Sequence, residues 1–179
     1  MKNDFTKSLY FVTSTVVDWL DVFTRPLYKH LLIESLAYCQ KHKGLEIYAW
    51  VLMTNHLHMI VGIDGDNQIG DVLRDFKKFT SKNIIKAIQD NQQESRKDWI
   101  IDRFYFRGAN DDKISKFKFW QDGNNVEAIT SHDFYKQKLN YIHMNPVRQE
   151  FVERPEQFLY SSARNYCGEK GLLDVIVQV

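Results

Sequence analysis

The sequence predicts an α+β fold, a ferredoxin-like antiparallel sheet with helices packed on one face. Three observations carry that prediction. Strand-like and helix-like segments alternate in the order strand, helix, hairpin, helix, strand pair, helix. Two apolar runs, 45–53 and 56–63, are separated only by Thr54 and Asn55, so they are expected to pair back on each other. The length of 179 residues and a hydrophobic content of 44% suit one domain with its own core.

Taken in order, residues 8–17 (SLYFVTSTVV) are β-branched and aromatic and read as the first strand. A helix follows, with Thr24 as N-cap and Pro26 in its first turn. Leu32, Ile33, Leu36 and Ala37 recur at helical spacing, and Gly44 ends it. In the run LEIYAWVLM, alternation puts Ile47, Ala49, Val51 and Met53 on one side of a central strand. Tyr48, Trp50 and Leu52 fall on the other. From Ile69 to Gln89 the apolar positions again follow a helical period. Residues 89–99 are polar and read as a mobile linker, within a flexible insertion spanning about 89–112 of a single domain, 1–179. Residues 117–121 and 126–129, joined by Asp122-Gly123-Asn124-Asn125, resemble a hairpin. Ser131 then caps a helix expected to stop near Asn145, because Pro146 disfavours the α conformation before it.

Composition excludes some classes and leaves others open. No apolar run approaches the roughly 20 residues that span a bilayer. Cys39 and Cys167 match no metal spacing, and residues 1–4 hold one lysine and no apolar segment, so a reduced cytoplasmic protein is expected. A net charge of +1 announces no nucleic-acid partner by itself.

The chemistry-bearing residues are few. His56 and His58 are two apart in a predicted strand, so both imidazoles point to one face, about 7 Å apart at Cα, and can converge on one metal ion. Chance supplies a His-x-His pair in roughly one such chain in five, so a pair of ordinary strand histidines stands at even odds. Tyr141 and Asn145, four apart, share a face of the last helix with Phe134 and Lys138. Tyr135, Leu139 and Ile142 form the better core-facing stripe. A packed ring with a wet hydroxyl is the commoner fate of such a tyrosine. Arg74, Lys77, Lys78, Lys82 and Lys86 put five cations on one helix, either a solvated face or a phosphate track. Arg103, Arg107, Lys113, Lys116 and Lys118, interleaved with Phe104, Tyr105, Phe106, Phe117, Phe119 and Trp120, offer a second basic and aromatic surface.

Together the pieces resemble a known family. YAWVLMTNHLHMIVG (48–62) looks like the His-hydrophobic-His strand of the HUH single-tyrosine transposases, and FKKFTSKNI (76–84) like the helix after it. FWQDG (119–123), KLNYIHMNPVR (138–148) and LYSSARNY (159–166) narrow the resemblance to the REP-associated tyrosine transposase branch. The resemblance implies an enzyme that cleaves and rejoins single-stranded DNA, with hairpin-forming repeats as partner and Tyr141 as nucleophile. It implies magnesium or manganese held by His56, His58 and the amide of Asn145, where related transposases carry a glutamine. Lys138 and Arg148, inside the same motif, join the basic helix as expected DNA contacts. The protein would act as a monomer or homodimer. The rival is a non-catalytic single-strand-binding module on the same scaffold, which has no use for His56, His58 and Tyr141 together. A phosphodiesterase with two His-x-Ser/Thr motifs is excluded, since the histidines are followed at the second position by Leu32, Gly44, His58, Ile60, Phe134 and Asn145.

Overall fold

In the computed structural model, residues 7–111, 116–123 and 125–178 are described. The elements run β1 (Leu9–Thr15), α1 (Pro26–Lys43), β2 (Leu45–Leu52), β3 (His56–Ile63), α2 (Ile69–Asp90), α3 (Lys97–Ala109), β4 (Asn125–Ile129) and α4 (His132–Arg148). The four strands form one antiparallel sheet in the order β2-β3-β1-β4. That order, with α1 and α2 as crossovers, is the ferredoxin-like arrangement.

The expected helix ends at α1 are set by backbone chemistry. Pro26 occupies its first position, and Gly44 closes it with φ 67°. Arg25, not Thr24, is the N-cap residue; the Thr24 hydroxyl instead accepts from an Arg96 guanidinium nitrogen at 3.2 Å. Gly44 has a second constraint, because a Cβ there would lie 2.0 Å from the Asp64 carbonyl oxygen, whose residue donates its N–H back to Gly44 O.

The sheet separates two apolar clusters. One face packs Val12, Ile47, Trp50, Leu57, Met59 and Val61 against Leu32 and Leu36 of α1 and Val72, Phe76 and Ile84 of α2. The other packs Leu9, Phe11, Ala49, Val51 and Ile60 against Tyr135 and Ile142 of α4. Helices thus cover both faces, not one. The ferredoxin-like crossovers fill the first, and α4 buries the apolar surface that would otherwise leave the second exposed to water.

The strict alternation predicted for β2 fails at one point. A register shift between Ile47 and Ala49 leaves Tyr48 as an extra residue. The bulge puts Leu45 and Ile47 on the same face as Trp50 and Leu52, while Tyr48, Ala49, Val51 and Met53 face α4.

Three further expectations are corrected. The polar stretch 89–99 is no simple linker: α2 reaches Asp90, a turn follows, and α3 begins at Lys97. Glu94 anchors the turn, fully buried, accepting from Arg25 Nε at 2.7 Å and Arg96 Nε at 3.2 Å. Burial works against its charge, but those hydrogen bonds outweigh it and hold the carboxyl below its usual range. Residues 117–121 do not form a hairpin with 126–129. Both run antiparallel to β1 along one edge, with Trp120 bridging Val16 and β4 pairing with residues 9–13, while Asn124 lies outside the described residues. Finally, α4 passes through Pro146 to Arg148. The proline gives up one N–H, yet the N–H groups of Gln149 and Phe151 still reach the carbonyls of Asn145 and Pro146. Ser131 caps this helix as expected, accepting from the Phe134 N–H at 3.2 Å.

Candidate active site

Pairing β3 between β1 and β2 buries His56 and His58 on the sheet face that α4 covers. Their rings stand 4.7 Å apart at 67°. Tyr141 hangs from α4 over the same spot. Its ring lies 5.1 Å from that of His58, and its hydroxyl is 3.5 Å from His58 Nε2. The tyrosine is 37% exposed, so the side chain is only half covered by its surroundings. The structure therefore brings together the three residues on which the expected chemistry depends.

Each imidazole is held by a polar neighbour. His56 Nδ1 lies 2.6 Å from Asn55 Oδ1. The Asn55 amide cannot turn around, since its Nδ2 donates to Asp21 Oδ1 at 2.9 Å and to the Trp19 carbonyl at 3.2 Å. Its oxygen can only accept, so His56 carries its proton on Nδ1 and leaves the Nε2 lone pair free. His58 Nδ1 is 2.8 Å from Thr13 Oγ1, its direct partner across β1, and Phe11 stacks on its ring at 5.5 Å. Burial, then the neighbouring His56 and Lys138, push the His58 pKa down to about 3. Burial lowers that of His56 as well, against the pull of Asp21. Both rings are neutral near pH 7, the form that ligates a metal.

Asn145, one helical turn beyond Tyr141, is buried, and its Oδ1 accepts from Gln149 Nε2 at 3.3 Å. Among the described residues no group of three or more His, Cys, Asp or Glu is assembled that could hold a metal. The donors brought together at this spot are two neutral imidazoles, and Asn145 follows Tyr141 by one turn of α4.

The expected DNA contacts divide into two groups. Lys138 and Arg148 flank the tyrosine. Lys138 Nζ lies 4.3 Å from the Phe11 ring centroid and pairs with Glu127 at 2.8 Å, and the Arg148 guanidinium sits 5.7 Å from the Tyr141 ring. The α2 cations lie behind the sheet, because α2 packs on the face opposite the histidines. There Arg74 pairs with Asp71 and Asp75, Lys77 donates to the Gly123 carbonyl at 2.7 Å, and Lys78, Lys82 and Lys86 are exposed. The second basic and aromatic surface is largely spoken for. Arg103 and Arg107 pair with Asp18, Lys118 pairs with Asp111 and Asp122, and Phe104, Phe119 and Trp120 are buried. Lys113 lies outside the described residues.

Thr13, Asn55, Phe11 and Trp19 carry no motif that marks them in the sequence: Asn55 reads as turn chemistry alone, and Thr13 becomes visible only once β1 is set in register against β3.

The sequence model of the IS200-like transposases matches residues 18–117. The chain belongs to the IS200-like transposase family. The matched stretch includes His56 and His58 and ends before α4, so Tyr141 and Asn145 rest on geometry. Among solved structures, the fold of this transposase is similar to a REP-associated tyrosine transposase bound to a REP hairpin. The two superpose with a TM-score of 0.60 at 18% identity, over 100% of this chain and 93% of the other. No curated protein sequence matches the chain.

Proposed function

We propose that this transposase cleaves and rejoins single-stranded DNA through a 5′-phosphotyrosine on Tyr141. The observation that carries the reading is the Tyr141 hydroxyl standing 3.5 Å from His58 Nε2, above a buried, neutral histidine pair. A binding module has no need of two desolvated imidazoles beneath an exposed phenol.

The donor set fits a divalent ion. His56 and His58 would hold it through nitrogen, and Asn145 through its amide oxygen; that mixture, with positions left for phosphate oxygens, suits magnesium or manganese. Bound there, the ion supplies Lewis-acid polarisation of a non-bridging phosphate oxygen. The chain's own residues do the rest. Tyr141 attacks the phosphorus in line, its proton passing to water, as the P–O3′ bond breaks and the leaving 3′-oxygen takes a proton from water to depart as a hydroxyl. Arg148 and Lys138 place positive charge beside the phosphate. A second 3′-hydroxyl later displaces the tyrosine oxygen, so joining needs no nucleotide cofactor. The REP hairpin bound by the structural relative supports a hairpin-flanked single strand as the substrate.

Tyr141→Phe removes one oxygen and keeps the ring. Incubated with manganese and a labelled hairpin library, the wild type should give a covalent adduct mapping to Tyr141, and Tyr141→Phe should give none. Cutting by the variant at the wild-type rate would point to a water nucleophile and end the tyrosine mechanism.

A further inference from the structure

Asp18 and Trp19 are consecutive residues with φ of 54° and 55°. Left-handed backbone is tolerable for aspartate and strained for tryptophan. The conformation persists because it is clamped. The Asp18 carboxylate accepts from Arg103 Nε at 3.0 Å and Arg107 Nε at 2.7 Å, both on α3, while Asn55 Nδ2 holds the Trp19 carbonyl.

Val17 and Leu20 on either side pack into the core, but the indole does not. The Trp19 side chain belongs to neither apolar cluster and is 61% exposed. What the clamp does is hold the indole in a T-shaped contact with His56, 6.2 Å between ring centroids at 71°. Tyr141 lies against the other histidine, His58. The largely exposed indole ring is therefore within one nucleotide's reach of any phosphate resting on the histidine pair.

We propose that Trp19 is a base-stacking platform for the nucleotide next to the phosphate bound at His56 and His58. The inference rests on reading those residues as the cleavage site, and it adds a binding contact that the chemistry alone does not require. Every base has a flat π-face, so the contact grips single strands with little regard for sequence. It also gives the two arginines of α3 a role: they hold the strained turn that presents the ring.

The test uses binding alone. In a Tyr141→Phe background with manganese, a fluorescein-labelled dT 20-mer is compared with an abasic 20-mer carrying the same phosphates. Trp19→Gly removes the ring and suits the positive φ, so its thermal midpoint should be unchanged or higher. Its affinity for the dT 20-mer should fall about 5- to 100-fold, with almost no loss for the abasic strand, and Trp19→Phe should keep most of the binding. Equal affinity in parent and Trp19→Gly, or equal loss on both strands, overturns the proposal. Failure of the cleavage reading shows elsewhere, as a missing adduct in the wild type, and leaves this comparison intact.

Discussion

At the scale of single residues, His56 is oriented by an amide that is itself pinned on its other side. Asn55 fixes the tautomer of His56, and Asp21 and the Trp19 carbonyl fix Asn55. Removing such an outer partner leaves a ligand in place and lets it turn. Asn55→Ala should weaken manganese binding about 10- to 100-fold in calorimetry while the fold survives. An undiminished affinity would mean that His56 needs no such support, or is no ligand. The His-x-His pair itself was legible because strand alternation is local. The partners were not: Thr13 reaches His58 through a pairing 45 residues away in sequence.

At the scale of elements, the sheet sorts two basic sets that look alike in the sequence. Lys138 and Arg148 share α4 with the tyrosine, whereas Lys78 and Lys82 line a partly apolar groove with Tyr38 and Phe79 between α1 and α2, behind the sheet. A short single strand at Tyr141 should meet only the first set. Arg148→Ala should therefore flatten the log–log salt dependence of binding by about one unit, and Lys78→Ala with Lys82→Ala should leave it unchanged on strands of about ten nucleotides. The reverse pattern would place the strand on the α2 face. Helical periodicity correctly found α2 and its apolar stripe, but which side of the sheet that stripe covers depends on crossovers that no local pattern encodes. The false hairpin at 117–129 has the same origin, since its turn residues were real and both arms pair with β1 instead. The polar run before α3 concealed Glu94, whose burial is visible only beside Arg25 and Arg96.

For the whole molecule, buried neutral imidazoles tie the fold to pH. Burial holds His143 at about 4, with its Nε2 against the Ser162 hydroxyl at 2.8 Å, and His58 is held at about 3. The unfolded chain takes up protons first as pH falls below imidazole's usual ~6.5. Stability is thus fully present above that value and drains away between about pH 6.5 and the folded values, at up to ~1.4 kcal/mol per pH unit for each group. In metal-free protein the urea midpoint should drop between pH 7.5 and pH 5, above the range where the carboxylates titrate. A flat midpoint across that window would show that these rings are hydrated and not buried.

Gly44 carries a consequence of another kind. Its positive φ strains most side-chain-bearing residues, asparagine least, and independently the space a Cβ would need is filled by the Asp64 carbonyl, 2.0 Å away. An asparagine, which often stands in for glycine at a helix end, meets the first demand and fails the second. Two unrelated geometrical demands thus intersect on one codon, where α1 turns into β2 and β3 comes to its end. In the space of possible sequences this corner is a point without neighbours: mutation can wander across the solvent face of α2 by single steps, but it has no tolerated step to take from here.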